Sequence, residues 1–532
     1  MSLKAEGGRK KEEMQVVQDG RLPEGWTTTT LGNLCEWVSG GTPRRSEPSY
    51  FGGKHPWITI SDLNDGELSD TAEYLTDAGI TNSAAKLVPE GSILVALYGS
   101  IGKLGITQKP STTNQAIACA LPDAQAYNSR YLFHLIRFRR HELSQQGTGV
   151  TQKNIYLGDI KAFTVPLAPL AEQTRIVKKL EELLADLDAG VAELKAAQKK
   201  LAQYRQSLLK AAVEGQLTAD WRAQHPPTET GAELLARILQ ERRTRWEAKQ
   251  LEKFASQGKT PPKNWQGKYP EPIPPDTQNL PALPEGWVWA SVEQIASDER
   301  YSLAIGPFGS NLKVPDYRDE GVPLIFVRNI RSGNYGGIHT KYVTHEKAAL
   351  LAAHAVEAED VLITKMGEPP GDADVYPTSQ PPAIITADCI KIRCWPGLMT
   401  PELLKIVINS HIGKSQIGPM TQGVAQKKVS LGQFISLSVP VPPINEQAEI
   451  VRAVSSANYE ALEQLAAIEF ALKQTTAQRQ NILRAAFAGE LVPQDPNDEP
   501  ASVLLARIRA QRAAQTPAKK PRGRKKKEIQ DV

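Results

Sequence analysis

"LPEGW" fills residues 22–26, and the same five residues return at 283–287. The two halves agree again further on. "GVTQKNIYLGDIKAFTVPLAPLAEQTRIV" (149–177) aligns with "GVAQKKVSLGQFISLSVPVPPINEQAEIV" (423–451) without a gap, at an offset of 274 residues. Ordered matches of this length do not arise from isolated turn signals. They predict a tandem duplication of a unit of roughly 260–270 residues, a period far too long for a solenoid.

The first part of each repeat has the pattern of a compact α/β domain. Short apolar runs such as "PWITISDL" (56–63) and "PLIFVRNI" (323–330) alternate with Gly/Pro-rich loops and brief helical stretches. A chain of 532 residues also favours more than one core, because single cores rarely exceed about 250–300 residues. We therefore predict globular domains at 22–165 and 283–440.

The second part of each repeat, 166–217 and 441–491, is predicted to be a long helix. A helix over 172–214 would run about 65 Å, and its leucines recur every seven residues, as in a coiled coil. The predicted seam residues are Leu180, Leu187, Leu194, Leu201, Leu208, Leu462, Leu465 and Leu472. The companion line of the first helix is predicted at Ile176, Leu183, Gly190, Ala197, Tyr204 and Ala211.

An apolar stripe on so long a helix needs a partner. We predict that the two helices pack on each other; the alternative is that each docks on its own domain. The predicted fold class is α+β: two globular α/β domains separated by two long coiled-coil helices, a tandem duplication with pseudo-twofold symmetry. The predicted remaining segments are an N-terminal tail (1–21), a connector that is helical and then Pro-rich (218–282), and a C-terminal short helix with a basic tail (492–532).

Several classes of protein lack support in the sequence. No apolar run approaches the roughly 18 residues of a membrane span, and the charged N-terminus has no apolar signal region. A cytoplasmic location is therefore expected. The four cysteines form neither a disulfide nor a zinc framework. Phosphate-loop, adenine-methylating, serine-hydrolase and zinc-protease motifs are missing, so we expect no catalysis, no metal and no cofactor on this chain.

Basic and amide side chains stand in Gly-rich loops of both predicted domains. Lys and Arg neutralise phosphates, and Arg, Asn and Gln can pair with base edges in the major groove. Any single loop could be a solvated turn; the recurrence in both domains favours DNA. The candidate residues are Arg44, Arg45, Lys54, Lys103, Asn114, Gln115, Gln152, Lys153, Asn311, Lys313, Arg328, Asn329, Arg331, Lys365, Gln422, Gln426, Lys427 and Lys428.

These features together resemble the specificity (DNA-recognition) subunit of type I restriction–modification enzymes. The resemblance covers about 22–515 and rests on "LPEGW" opening each half, on "SGGTP" (39–43) and "GPFGSNLK" (306–313), and on the two joints that contain "EQ". It implies two target-recognition domains, each reading one half of a split DNA target, with the two long coiled-coil helices packed antiparallel as the spacer. Because the loop sequences differ, the half-sites should differ too.

The resemblance also implies partners and cofactors. Two methyltransferase subunits would carry S-adenosylmethionine, and two restriction (motor-nuclease) subunits would use ATP and Mg²⁺; the partners of this chain would be these subunits and double-stranded DNA, with no membrane. One departure is "TKMGEPPGDADVYP" (364–377), where Asp372 and Asp374 would repel phosphates unless they accept from a cytosine amino group. Two alternatives stay open: a single-chain restriction–modification enzyme, and a coiled-coil interaction protein without sequence-specific DNA binding.

Overall fold

A computed structural model describes residues 22–147, 154–337, 339–421 and 427–515. The chain divides into two compact units. Unit 1 comprises residues 1–194 and 470–532, and unit 2 comprises residues 195–469. Unit 1 is therefore assembled from both ends of the chain, whereas unit 2 is one continuous stretch.

Unit 1 contains three sheets and a set of short helices. Its sheets have the strand orders β2-β9-β6-β7-β4, β5-β3-β8 and β1-β10. The strands are β1 (Thr27–Thr30), β2 (Trp37–Ser39), β3 (Phe51–Ile58), β4 (Gly66–Leu68), β5 (Tyr74–Leu75), β6 (Ile93–Ala96), β7 (Leu104–Thr107), β8 (Thr112–Thr113), β9 (Ile117–Ala120) and β10 (Thr164–Leu167). The helices are α1 (Leu31–Leu34), α2 (Asp77–Thr81), α3 (Ser129–Phe138), α4 (Arg140–Gln145) and α5 (Leu157–Ala162), followed by the long helix α6 (Leu170–Val213).

Unit 2 repeats this plan after two connector helices. Its sheets have the strand orders β12-β19-β16-β17, β14-β13-β18-β15 and β11-β20. The strands are β11 (Val288–Ser291), β12 (Leu303–Ile305), β13 (Val322–Ile325), β14 (Tyr342–Val343), β15 (Ala355–Val356), β16 (Val361–Thr364), β17 (Ala373–Val375), β18 (Ala383–Ile385), β19 (Cys389–Ile392) and β20 (Ser438–Val441). The helices are α7 (Ala219–Gln224), α8 (Gly231–Ser256), α9 (Val292–Ile295), α10 (Val327–Ser332), α11 (His345–Leu350), α12 (Pro401–Asn409), α13 (His411–Met420), α14 (Leu431–Phe434) and the long helix α15 (Ile444–Ala488); α16 (Ala501–Gln515) returns to unit 1. Single 3₁₀ turns lie at Pro48–Tyr50, Trp265–Lys268, Val314–Asp316 and Ala352–His354.

Strand pairing bears out the duplication. The run β2-β9-β6-β7 of unit 1 corresponds to β12-β19-β16-β17 of unit 2. The parallel pair β3·β8 corresponds to β13·β18, and β1·β10 corresponds to β11·β20. The central strands β6 and β16 are buried at every position, as expected for apolar, largely β-branched runs in the middle of a sheet. The predicted fold class is confirmed in this sense: two α/β lobes of one topology and two long helices.

The boundaries of the long helices follow from local chemistry. Both start just after a proline, and each has a glutamate in its first turn, where the positive end of the helix dipole favours an anion. Gly215 and Gly489 follow the last turns with φ of 71° and 76°. That left-handed conformation suits glycine and stops a helix. The two helices thus begin and end by the same devices.

Within each unit the helix segments pack antiparallel. In unit 1 the start of α6 (Leu180, Leu184) shares a core with the end of α15 (Leu483, Phe487). In unit 2 the end of α6 shares a core with the start of α15, through Leu208, Ala212, Ile450 and Val454. Polar contacts between the two helices agree with this arrangement. Arg479 forms an ion pair with Asp188 in unit 1, and Arg205 Nε donates to Asn458 Oδ1 at 3.3 Å in unit 2. The predicted antiparallel pairing is confirmed.

Two details of the predicted seam are wrong. Leu462 is 52% exposed, whereas its neighbour Ala461 is buried. In α6 the companion line runs through Leu184 and Ala212 instead of Leu183 and Ala211, and Tyr204 is exposed. The reason is angular: one residue turns about 100° around a helix, so a line displaced by one position leaves the interface. The other predicted leucines lie on the buried or half-buried side.

The connector (218–282) packs on unit 2 through its helices and its Pro-rich stretch. Helix α8 contributes Leu234, Leu235 and Ile238 to the core of unit 2. The Pro-rich stretch is then tied down: the amide of Ile273 donates to Glu293 Oε2 at 2.8 Å, and the Ser438 hydroxyl donates to the carbonyl of Asp276 at 2.8 Å. The sequence predicts an extended connector here, and the structure adds that its apolar and backbone groups have partners on unit 2.

Candidate nucleic-acid interface

The tryptophan of each "LPEGW" is tied to the first turn of a long helix. In unit 2 the indole Nε1 of Trp287 donates to Glu446 Oε2 at 2.8 Å, and in unit 1 Trp26 Nε1 donates to Glu172 Oε2 at 3.0 Å. Both carboxylates are almost fully buried, and a buried charge is stable only with partners. The two repeated motifs, "LPEGW" and "EQ", are therefore the two sides of one contact.

The carbonyl of the glycine before each tryptophan accepts a hydrogen bond from the start of a second helix. The carbonyl of Gly25 accepts from the amide of Ala501 at 2.8 Å, and the carbonyl of Gly286 accepts from the amide of Gly231 at 2.7 Å. These amides begin α16 and α8. The two helices carry a further repeat, "LLARI" at 504–508 and 234–238, and bury its apolar residues in their units. We call the tryptophan, the glutamate and this second helix the lock of each unit.

The glutamine of each "EQ" fixes the lobe to the same helix turn. Gln173 Oε1 accepts from the amide of Asn128 at 2.9 Å, and its Nε2 donates to the carbonyl of Ala168 at 2.9 Å. Gln447 Oε1 likewise accepts from the amide of Thr400 at 3.0 Å. Asn128 and Thr400 are the N-cap residues of α3 and α12. Both lobes are thus held at two points on the first turn of a long helix.

The two locks differ in charge compensation. Glu446 also accepts from Thr218 Oγ1 at 2.7 Å and from Arg222 Nε at 2.9 Å, which gives it a cationic partner. Glu172 has only the indole and the Gln494 amide, at 3.5 Å, as side-chain hydrogen-bond donors in the described part of the chain. Burial accordingly raises the pKa of the Glu172 carboxyl above its ordinary value.

In the lobe of unit 1, four loops adjoin at the ends of the strands. The amide of Gly41 donates to the carbonyl of Thr113 at 2.8 Å, and a Cβ on Gly40 would collide with the carbonyl of Asn114. Glycine is therefore required for this close approach. The amide of Leu97 donates to the carbonyl of Ala116 at 2.8 Å, which brings in a third loop. The unit 1 loop cluster comprises residues 40–45, 97–103, 114–116 and 154–155.

Unit 2 builds the same cluster at the corresponding strand ends. A Cβ on Gly306 would collide with the carbonyl of Thr386, as at Gly40 in unit 1. The amide of Lys365 donates to the carbonyl of Asp388 at 2.7 Å, and the amide of Val429 donates to the carbonyl of Lys365 at 3.1 Å. The unit 2 loop cluster comprises residues 306–313, 365–372, 386–388 and 427–429.

The residues of unit 1 that are predicted to contact DNA differ in exposure and in their partners within the chain. Arg44 is exposed and Lys103 is half-buried, and within the described ranges neither has an acidic partner. Asn114 Oδ1 accepts from the amide of Ala116 at 3.2 Å, and Gln115 accepts from the Thr42 hydroxyl. Two further cations are engaged, Arg45 with Glu73 and Lys54 with Asp77. Lys54 also lies inside β3 and not in a loop, which corrects its predicted setting.

In unit 2 three predicted loop residues belong to helix α10, because the Asn329 side chain caps its first turn. Asn329 Oδ1 accepts from the amide of Phe326 at 2.9 Å, and its Nδ2 donates to the carbonyl of Asn334 at 3.0 Å. Arg328 lies over the Phe326 ring, and Arg331 Nε donates to Asp372 at 2.8 Å. Both ends of the Asn329 amide therefore already have a partner within unit 2.

The remaining predicted residues of unit 2 lie in its loop cluster. Asn311, Lys313 and Lys428 are exposed. Lys365 Nζ donates to the carbonyl of Ala387 at 3.4 Å, and Lys427 pairs with Glu368 at 3.3 Å. Four predicted residues, Gln152, Lys153, Gln422 and Gln426, lie outside the described residues.

Asp372 and Asp374 are neutralised inside unit 2. Asp372 pairs with Lys414 at 2.7 Å and with Arg331 at 2.8 Å. Burial alone would raise the pKa of Asp372, but Lys414 and Arg331 bring it below its ordinary value. Asp374 pairs with Lys405 and accepts from the hydroxyl of Tyr335 at 3.0 Å. These carboxylates are therefore compensated anions, which weakens the repulsion of phosphates expected from the sequence.

Sequence reasoning assigned no role to the tryptophans, to their glutamates or to Thr42. The signal for the first two was present, because each residue recurs inside a duplicated motif. The Thr42–Gln115 contact had no such signal, since it joins residues 73 positions apart. In the part of the chain that the structure describes, no group of three or more His, Cys, Asp or Glu side chains could hold a metal ion. Within the same ranges no helix is both long and apolar enough to cross a membrane.

Comparisons with known proteins agree with this construction. The family model described as "Type I restriction modification DNA specificity domain" matches residues 23–196. The type I restriction enzyme EcoKI specificity subunit of Escherichia coli (strain K12) is 23% identical over 519 residues, covering 93% of this chain and 97% of that protein. The EcoBI specificity subunit of Escherichia coli is 24% identical over 511 residues, covering 93% and 94%.

The fold has a solved counterpart. A chain in a structure of the type I R-M system superposes with a TM-score of 0.62 at 17% identity, covering 88% of this chain and 100% of that one. At this identity the match speaks for the fold alone. The chain is thus similar to type I restriction enzyme specificity subunits over 93% of its length, and its residues 23–196 match the DNA specificity domain of such enzymes.

Proposed function

We propose that this chain is the DNA-recognition and scaffold subunit of a type I restriction–modification complex. Each unit reads one half of an asymmetric, split DNA target through its loop cluster. The long helices α6 and α15 set the gap between the half-sites and offer a surface for the partner subunits. This proposal extends to the whole chain what the names of its relatives state for those proteins.

One observation carries the proposal. The same glycine-dependent loop cluster occurs twice, at matching strand ends and on matching locks, yet with different side chains. Both clusters present exposed cations and an exposed side-chain amide, which suits phosphates and base edges. A scaffold repeated with variable loops is what two different half-sites require. A structural role alone would favour keeping the loops alike.

The partners and cofactors follow from the same proposal. Methyltransferase subunits would carry S-adenosylmethionine, and restriction subunits would use ATP and Mg²⁺, so that this chain itself needs no catalytic group or cofactor. The alternative of a coiled-coil protein without a DNA role is not favoured by relatives that match 93% of the chain. The single-chain enzyme is not favoured either, because those relatives are specificity subunits.

The test is a footprint of the chain bound to its methyltransferase partner at physiological salt. We expect protection of one split sequence, with two short protected blocks and an unread gap between them. The control is a DNA duplex of the same composition in which the sequences of the two blocks are scrambled. The complex should bind this duplex only weakly and should protect no defined position. Uniform, sequence-independent binding of both duplexes would contradict the proposal.

Arg44→Ala should weaken binding of all DNA sequences about equally. Arg44 is an exposed cation in the unit 1 loop cluster, and loss of one phosphate contact should lower the slope of log K against log salt by about one. Binding titrations at several salt concentrations measure both effects. The control is the substitution Arg45→Ala. Because Glu73 already compensates the charge of Arg45, this substitution should change the slope less than Arg44→Ala does. A loss for Arg44→Ala confined to one base pair would rule out a phosphate contact.

A further inference from the structure

One position differs in kind between the two loop clusters. Strand registers fix the equivalence: β2 pairs with β9 and β12 pairs with β19, and the strands β2 and β12 end at Ser39 and Ile305. Three residues further on stand Thr42 in unit 1 and Phe308 in unit 2. Two residues before β9 and β19 stand Gln115 and Ala387.

Unit 1 therefore has a polar pair where unit 2 has an apolar one. In unit 1 the Thr42 hydroxyl donates to the Gln115 side-chain oxygen, and both residues are exposed. In unit 2 neither Phe308 nor Ala387 has a hydrogen-bonding side chain. At these two positions the side chains of unit 2 can therefore contact a ligand only through apolar atoms.

The loop around Phe308 is firmly anchored although the side chain is exposed. Gly306 and Pro307 are buried on one side and Leu312 on the other, whereas residues 308–311 are exposed. The amide of Asn311 donates to the carbonyl of Phe308 at 2.8 Å and closes a turn. A single exposed apolar residue is ordinary on a protein surface. This one is 70% exposed in the middle of the unit 2 loop cluster, with the exposed Lys313 nearby in the chain.

We infer that Phe308 is a specificity-determining residue that reads the 5-methyl group of a thymine in the half-site of unit 2. The thymine methyl is the apolar feature of the major groove, and phenylalanine is a side chain that contacts it. By the same comparison, the Thr42–Gln115 pair of unit 1 reads a hydrogen-bonding base edge. The inference rests on the proposed function and names the chemistry by which the two half-sites differ.

The test uses the chain with its methyltransferase partner and a duplex that carries the target found by methylation mapping. Each thymine of the target is replaced in turn by deoxyuridine, which removes only the methyl group. We expect the deoxyuridine substitution to lower the affinity about fourfold at one position, because burying one methyl-sized group contributes a free energy of about that factor. Phe308→Ala should bind the thymine and deoxyuridine duplexes equally at that position and keep the discrimination of the other half-site.

Two further variants make the result decisive. Phe308→Leu retains an apolar side chain and should retain part of the discrimination. Leu350→Ala removes a side chain that is 83% exposed in α11, outside the loop cluster, and should behave as wild type. If wild type gives the split footprint but no deoxyuridine position weakens it, or if Phe308→Ala still discriminates, the inference is wrong while the proposed function stands. If wild type gives no footprint, the proposed function itself fails.

Discussion

Arg222→Ala should destabilise unit 2 by about 3–5 kcal/mol, the usual loss when one partner of a buried ion pair is removed. Glu446 is 1% exposed, and Arg222 is its cationic partner at 2.9 Å. The arginine also lies over the ring of Trp287 and donates to the carbonyl of Gly215. Its removal leaves a carboxylate in the lock with two neutral donors and no counter-charge. We expect the unfolding transition of unit 2 to move down by roughly 5–15 °C in calorimetry.

Two variants separate this effect from the general cost of losing an arginine. Arg452→Ala breaks a pair with Glu449 in the same helix, in which Arg452 is 71% exposed and Glu449 17% exposed, and should change the transition much less. Adding Glu446→Gln to Arg222→Ala removes the uncompensated charge and should restore part of the stability. An Arg222→Ala protein as stable as Arg452→Ala would mean that the lock does not depend on its ion pair.

Inserting one heptad into both long helices should change the gap of the DNA target and leave the half-sites as they are. The insertions go after Leu194 in α6 and after Glu469 in α15, where each helix passes from one unit to the other. Seven residues preserve the leucine line and add about 10 Å at 1.5 Å per residue. That length corresponds to about three base pairs at 3.4 Å each. We expect the original target to be lost and a target with a longer gap to replace it.

Methylation mapping of DNA from cells that express the variant with its partner reads this outcome directly. The control is a seven-residue insertion after Gly258, in the exposed turn that follows α8. Because the connector packs on unit 2, this insertion should leave both the half-sites and the gap unchanged. A gap that responds to the connector insertion, or ignores the helix insertions, would refute the spacer role.

The duplication made much of this fold predictable. A repeated motif indicates a repeated structure, so the α/β lobes and the long helices could be derived from one chain, whereas the antiparallel order of the helices was implied by the family resemblance. The predicted coiled-coil seam was wrong at Leu462. A heptad pattern distinguishes adjacent residues only by small differences in apolar character, so it can select the neighbour of the residue that is buried. Proline-rich composition indicates an extended backbone but not the surface on which that backbone lies, so the packing of the connector on unit 2 could not be derived from the sequence.

The candidate site was less predictable than the fold. Residue type alone placed Arg45, Asn329 and Arg331 among the DNA contacts, yet the structure gives each of them partners within the chain. The acidic partners Glu73 and Asp372 are 28 and 41 positions away, and only the folded chain brings them into contact. Whether an exposed residue such as Lys313 touches DNA stays a prediction.

The division of the chain has a consequence for its synthesis on the ribosome. Unit 2 ends at residue 469, so every residue of its core has been translated well before the chain is complete. Unit 1 is made first but cannot close first, because the ring of Phe487 packs on Tyr131 and Phe138, and Leu504 fills the same core. The lobe that leads in translation finishes last, with its apolar interior open until the final helix arrives.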